Sequence, residues 1–123
     1  MAFRFLNFKV YKDAKLFYQS VLRIIKQLPQ TESYSLADQL RRAGLSIILN
    51  IAEGCDRGSD KDFNRYLMNA LGSLNEVVAG IDIAYENEYV SKDVYIALLG
   101  NAEELSKQIG GFSKTLKRGN LVS

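Results

Sequence analysis

Histidine and tryptophan are absent from all 123 residues, and cysteine and proline occur once each. Each absence removes a class of chemistry or architecture. Without imidazole there is no Glu-x-x-His pair of a di-iron bundle, no HExxH zinc helix and no His-dependent triad. The single thiol, Cys55, forms no intrachain disulfide, which agrees with a reducing compartment. It follows Gly54 with no imidazole to activate it, and reads as a small residue at a helix end. No stretch approaches the ~20 uninterrupted apolar residues of a membrane span. The opening MAFRFLNFKV also lacks the apolar run and cleavage site of a signal peptide. These absences lead to the expectation of a cytoplasmic chain with no membrane association, cofactor, metal or catalytic residue, hence not an enzyme.

What is present is an ordinary globular balance, 47% hydrophobic and 24% charged, at a length suited to one domain. The lone Pro29 and the scarcity of alternating β-branched runs favour helix over sheet. Apolar residues recur three and four apart in four runs: Tyr11, Ala14, Tyr18, Val21, Ile25 and Leu28; Leu36, Leu40, Ala43, Ile47 and Ile51; Phe63 through Tyr85; Val94 through Leu116. The spacing predicts helices over about 7–28, 36–54, 60–87 and 92–117, joined by short connections into an all-α, antiparallel up-down-up-down four-helix bundle. Pro29 is expected to stop the first helix and Ser35 to cap the second. Gly54 is expected to stop the second in a left-handed conformation, and Ser59 and Ser91 to start the third and fourth. The glycine- and charge-rich stretch NIAEGCDRGSDKDF is then a connector, with neither GxGxxG nor Walker A spacing to suggest a phosphate cradle.

Glu53 falls in the last turn of the second helix, where the carbonyl end of the dipole disfavours an anion, and Arg57 four residues on can compensate it. Back along the same helix, Gln39, Arg42, Ser46, Asn50 and Glu53 form one polar stripe, answered on the third helix by Arg65, Asn69, Ser73 and Glu76. The stripe reads either as a seam that fixes helix register or as a ligand pocket. Leu45, Ile48, Leu49 and Ala52 add apolar surface beyond what one bundle covers, which predicts a subunit interface. Small residues, Ala43 and Gly44 on the second helix with Ala70, Gly72 and Ser73 on the third, are expected to let those two backbones approach closely.

Charge is segregated along the chain. Residues 1–28 carry six basic groups and one acidic, residues 107–123 four basic and none acidic, and the remainder six basic and thirteen acidic. On the first helix Lys12, Lys15, Arg23 and Lys26 share an arc of roughly 80° with Gln19. The fourth helix adds Lys107, Lys114 and Arg118. With the two helices antiparallel, Arg4, Lys9, Lys12, Lys114, Lys117 and Arg118 are expected to meet at one pole. Such a surface suits sequence-tolerant contact with nucleic-acid phosphates, and it also suits a merely solvated face.

The string QLRRAGLSIILNIAEG (Gln39–Gly54), followed by Arg57, Phe63, Leu67 and ALGSLNE (Ala70–Glu76), resembles a family of small bacterial four-helix bundle proteins often encoded within intervening sequences of 23S rRNA genes. The resemblance spans most of the chain. It implies a homopentameric barrel and brings no enzymatic activity or catalytic residue. A relative of that family, the accessory protein of diversity-generating retroelements, uses a basic barrel surface to engage nucleic acid and a reverse transcriptase. The functional expectation is a non-enzymatic oligomer that binds RNA or DNA as an accessory factor. The alternatives are a protein-interaction scaffold without nucleic-acid affinity and a small-ligand binder using Asn50, Glu53, Ser73 and Glu76.

Overall fold

Residues three and four apart along a helix share a face, so each apolar run of this chain makes one sticky stripe that must be covered. The structure, a computed structural model, describes residues 2–117 and satisfies that requirement with four helices. A 3-10 turn over Arg4–Asn7 leads into α1 (Lys9–Ile25). A second 3-10 turn, Gln30–Glu32, leads into α2 (Leu36–Cys55), α3 (Asp60–Glu86) and α4 (Lys92–Lys117), with no strand among the described residues. Each helix packs on its sequence neighbours and α4 packs back on α1, whereas the backbones of the diagonal pairs α1/α3 and α2/α4 stay apart and meet only through the shared core. The result is a closed square of antiparallel helices.

The core is the meeting of four stripes. Phe17 and Val21 of α1, Ile47 and Ile51 of α2, Leu67 and Ile81 of α3, and Leu105 and Ile109 of α4 are almost fully buried. Each such side chain contributes roughly 1.5–3 kcal/mol relative to exposure. At one pole a cluster of rings ties three helices together. Phe8, which precedes α1, lies 5.3 Å from Phe112 of α4, and Phe63 of α3 lies 5.2 Å from Phe112 between ring centroids. On α1 the buried line is Val10, Ala14, Phe17, Val21 and Ile24, rotated from the expected Tyr11–Tyr18–Ile25 line. The tyrosines are half-buried on the α2 flank, a position that suits rings with one polar tip.

Two of the expected helix-end signals, Gly54 and Ser35, act differently. Gly54 is helical and buried, and the α2 C-cap is Asp56. Its function is close approach: a Cβ there would lie 2.6 Å from Tyr66 Cβ and 3.0 Å from Phe63 Cδ1. Gly80 serves α3 in the same way under Leu40, while Gly44 meets Tyr18 of α1 and Gly72 faces open space. The closest α2/α3 approach is therefore at Gly54 and Gly80; of the small residues expected there, Ala43 and Ala70 are buried and Ser73 bonds Ser46 of α2, while Gly44 faces α1 and Gly72 faces outward. Ser35 makes no side-chain cap; its Oγ donates to Glu32 Oε1 at 2.6 Å. Ser59 and Ser91 cap as expected, accepting from Asp62 N at 3.1 Å and Val94 N at 3.2 Å. Helix α1 ends at Ile25, three turn residues ahead of Pro29, because the chain tightens into i→i−3 bonds at Gln27 and Leu28.

Candidate nucleic-acid interface

Helical spacing puts Lys12, Lys15, Gln19 and Arg23 of α1, with Lys26 just past its end, on the side away from the core, and all five are exposed. The five ion pairs among the described residues are Lys9–Asp13, Arg42–Asp38, Arg57–Glu53, Arg65–Asp62 and Lys107–Glu103. None involves Lys12, Lys15, Arg23 or Lys26. Lys15 Nζ lies 4.9 Å from the centroid of Tyr11, and Arg23 Nη2 donates to Ser20 Oγ at 3.1 Å, so these two are oriented without being neutralised. The only acid on α1, Asp13, points toward α4: it accepts from Lys9 Nζ at 2.5 Å and from Gln108 Nε2 at 2.7 Å. Those two bonds hold its carboxyl below the usual carboxylate range.

The pole where α1 starts and α4 ends holds fewer free cations than its basic residues suggest. Arg4 is not part of a phosphate-facing patch. It is half-buried, with Nε on Cys55 Sγ and Nη2 on the Cys55 carbonyl, both at 3.2 Å, and its guanidinium 5.9 Å from the Phe8 centroid. Lys9 is paired with Asp13, and Lys117 lines a cleft with Asp60 and Lys61. Asp56, Asp60 and Asp62 end α2 or begin α3 at this same pole. Lys114 is exposed, and Arg118 lies outside the described residues. The clean basic surface is the flank of α1.

The polar stripe is partly a seam. Ser73 Oγ donates to Ser46 Oγ at 2.9 Å, Gln39 Nε2 donates to Glu76 Oε2 at 3.0 Å, and Asn50 Nδ2 donates to Ser46 at its carbonyl and hydroxyl oxygens. The α2/α3 register is thus marked at two heights. Arg42 and Arg65 pair within their own helices, Arg57 pairs with Glu53 four residues back, and Asn69 is exposed. Since Glu53 and Glu76 are themselves exposed, their contacts contribute about 0–1 kcal/mol, less than a buried network would. Clefts of about 230 and 310 Å³ run along the α1/α4 groove, lined by Leu16, Ser20 and Asn101 among others, away from Asn50, Glu53, Ser73 and Glu76.

Other polar bonds between elements were missed in sequence: Tyr89 Oη to Glu32 at 2.9 Å, Tyr95 Oη to Asp82 at 2.7 Å, and buried Ser113 to Asn64. Only Ser113 carries a sequence signal, a hydroxyl within the apolar stripe of α4. On the outward face of the α2/α3 hairpin, Leu45 is 40% and Leu49 53% exposed, and Ala52 is half-buried. Ile48 departs from the expected interface; at 7% exposure it belongs to the bundle core, because it sits one step around the helix toward α1. On α3, Met68, Gly72, Ala79 and Ile83 extend this apolar surface at helical spacing.

The described residues thus form a four-helix all-α bundle with one uncompensated basic flank. The chain belongs to the 23S rRNA-intervening sequence protein family, whose model matches residues 6–111. It is also similar to a solved structure from Bacteroides thetaiotaomicron described as a protein of unknown function from the S23 ribosomal protein family. The two share 25% identity over 86% of this chain and 99% of that one, with a TM-score of 0.78. Comparison with curated proteins gave no match. Among the described residues no helix is long and apolar enough to cross a membrane.

Proposed function

We propose that the protein is a non-enzymatic, cytoplasmic homo-oligomer that binds RNA or DNA through phosphates and serves as an accessory to a nucleic-acid enzyme such as a reverse transcriptase. The observation that carries this reading is the α1 flank, where four exposed cations lie on one face and none is engaged by a carboxylate. Cations left uncompensated while their neighbours are paired are the ones whose counterions a polyanion releases. Family membership supports the reading only through the RNA gene in the family's name. The apolar outer surface of α2 and α3 supports self-association, with a pentamer as the proposed stoichiometry, and assembly multiplies weak contacts along one long nucleic acid.

The test is a fluorescence-anisotropy titration of labelled RNA and DNA at about 50 to 200 mM salt, where binding through several phosphates weakens steeply. The variant Lys12→Glu, Lys15→Glu, Arg23→Glu, Lys26→Glu is expected to lose binding and keep its assembly. Absence of saturable binding by the wild type, or undiminished binding by the variant, would overturn the proposal in favour of a protein-interaction scaffold.

A further inference from the structure

The α1 flank is not a uniform row of charge. Lys12 and Lys15 form one pair of cations, Arg23 and Lys26 a second, and the exposed residues between them, Leu16 and Gln19, are both neutral, with Gln19 on the arc itself. At 1.5 Å of rise per residue the centres of the two pairs stand about 17 Å apart. A B-form major groove about 12 Å wide has its flanking phosphate rows about 18 Å apart once the phosphates' own radii are included. Resting on the nucleic-acid reading above, we infer that α1 binds double-stranded nucleic acid by bridging a wide groove. Lys12 and Lys15 hold the phosphates of one strand, Arg23 and Lys26 hold those of the other, and Gln19 lies over the opening.

Two further observations favour a duplex over a single strand. Single-strand binders rely on aromatic platforms, each stacked base contributing roughly 1–3 kcal/mol, and this flank presents none. The rings of α1 are engaged within the protein, Tyr11 also by the Lys15 ammonium. Phe17 is buried, Tyr11 packs edge-on against Phe5 at 5.0 Å, and Tyr18 lies against Gly44, its Cδ1 2.9 Å from where a Cβ would be. The spacing of the cations is also rigid, because Val10, Ala14, Phe17, Val21 and Ile24 anchor the opposite face of the helix in the core. A fixed spacing is matched by the fixed geometry of a duplex and gives no advantage on a flexible strand.

The experiment compares a labelled 20-base-pair duplex with its component single strands by anisotropy across a salt series. The wild type is expected to bind the duplex at least about tenfold more tightly. Neutralising either pair, as Lys12→Gln with Lys15→Gln or as Arg23→Gln with Lys26→Gln, should bring duplex affinity down to the single-strand level. Each should also flatten the log–log salt slope by about 1.8, the contribution of two phosphates. Lys114→Gln with Lys117→Gln should leave the preference intact. Single strands bound as tightly as duplex by the wild type, or a preference that survives loss of one pair, would overturn the bridging inference while leaving phosphate binding standing. No binding of either form would overturn both.

Discussion

Arg4 grips Cys55 twice. Its Nε donates to the thiol sulfur and its Nη2 to the backbone carbonyl, both at 3.2 Å, so a residue ahead of α1 supplies the cation that the carbonyl end of α2 favours. Charge-assisted bonds of this kind are worth about 1.5–3 kcal/mol when partly shielded. Arg4→Ala is expected to lower unfolding free energy by about 1–2 kcal/mol in urea titration. Cys55, 3% exposed in the native fold, should then react faster with a thiol reagent.

At Gly54 a side chain has no room. The nearest atom to an added Cβ is the Cβ of Tyr66 at 2.6 Å, which cannot swing away as the tip of a long side chain would. Gly54→Ala is expected to cost about 1–3 kcal/mol through overpacking. Gly111→Ala, in open space on α4, should instead gain about 1 kcal/mol from helix propensity. Thermal melts of the two variants should move in opposite directions.

Helix α3 ends on a strained residue. Glu88 has φ 61°, while Tyr89 N–H bonds the Ala84 carbonyl and Glu88 N–H that of Tyr85, the pair of bonds of a Schellman cap normally built on glycine. Glu88→Gly removes the Cβ clash at no cost in hydrogen bonds and should stabilise by about 1 kcal/mol, read as a rise in melting temperature.

Two carboxyls set an acid limit. Bonds from Lys9 and Gln108 lower Asp13, and bonds from Ser35 and Tyr89 lower Glu32. Because the native pKa values lie below the unfolded ones, the unfolded chain takes up protons first as pH falls. The stability these groups contribute is complete above the ordinary carboxylate range, about pH 4, and is lost as pH drops through the native values. Melting temperature should therefore fall below about pH 4. Asp13→Asn and Glu32→Gln together should flatten that decline.

The proposed assembly rests on Leu49, exposed in the isolated chain and central to the apolar outer face of α2. Light scattering of the wild type should give several times the 13.8 kDa chain mass, and Leu49→Lys should return it toward one chain. A monomeric wild type at micromolar concentration would defeat the assembly.

Bundle architecture was legible because three-and-four spacing translates directly into a buried face, and the Ser59 and Ser91 caps followed from local sequence. What was not legible depends on contacts distant in sequence. Gly54 carries the signature of a helix stop, but its role is decided by Tyr66 across the hairpin. Arg4 looked like surface charge until the fold placed Cys55 beside it. Ile48 sat on the boundary between two faces of α2, and only the position of α1 decided which one claimed it. Of the candidate interface, the α1 flank was readable from one helix alone, whereas the mixed pole required knowing which acids converge there.

The square arrangement of the helices has a kinetic consequence. In a square of helices each element packs closely only on its two neighbours, so the order of assembly follows the order of loop closure. The α2/α3 hairpin closes across a short connection and has the most extensive interface, while α1 and α4 must close nearly the whole chain to meet and share the least. The hairpin is therefore the natural nucleus and the α1/α4 edge the last to zip, and in the native state the first to open. The helix that carries the uncompensated charge is thus also one wall of the bundle's weakest seam, so a polyanion seated on α1 and absent from its unfolded form would raise the free energy of opening there.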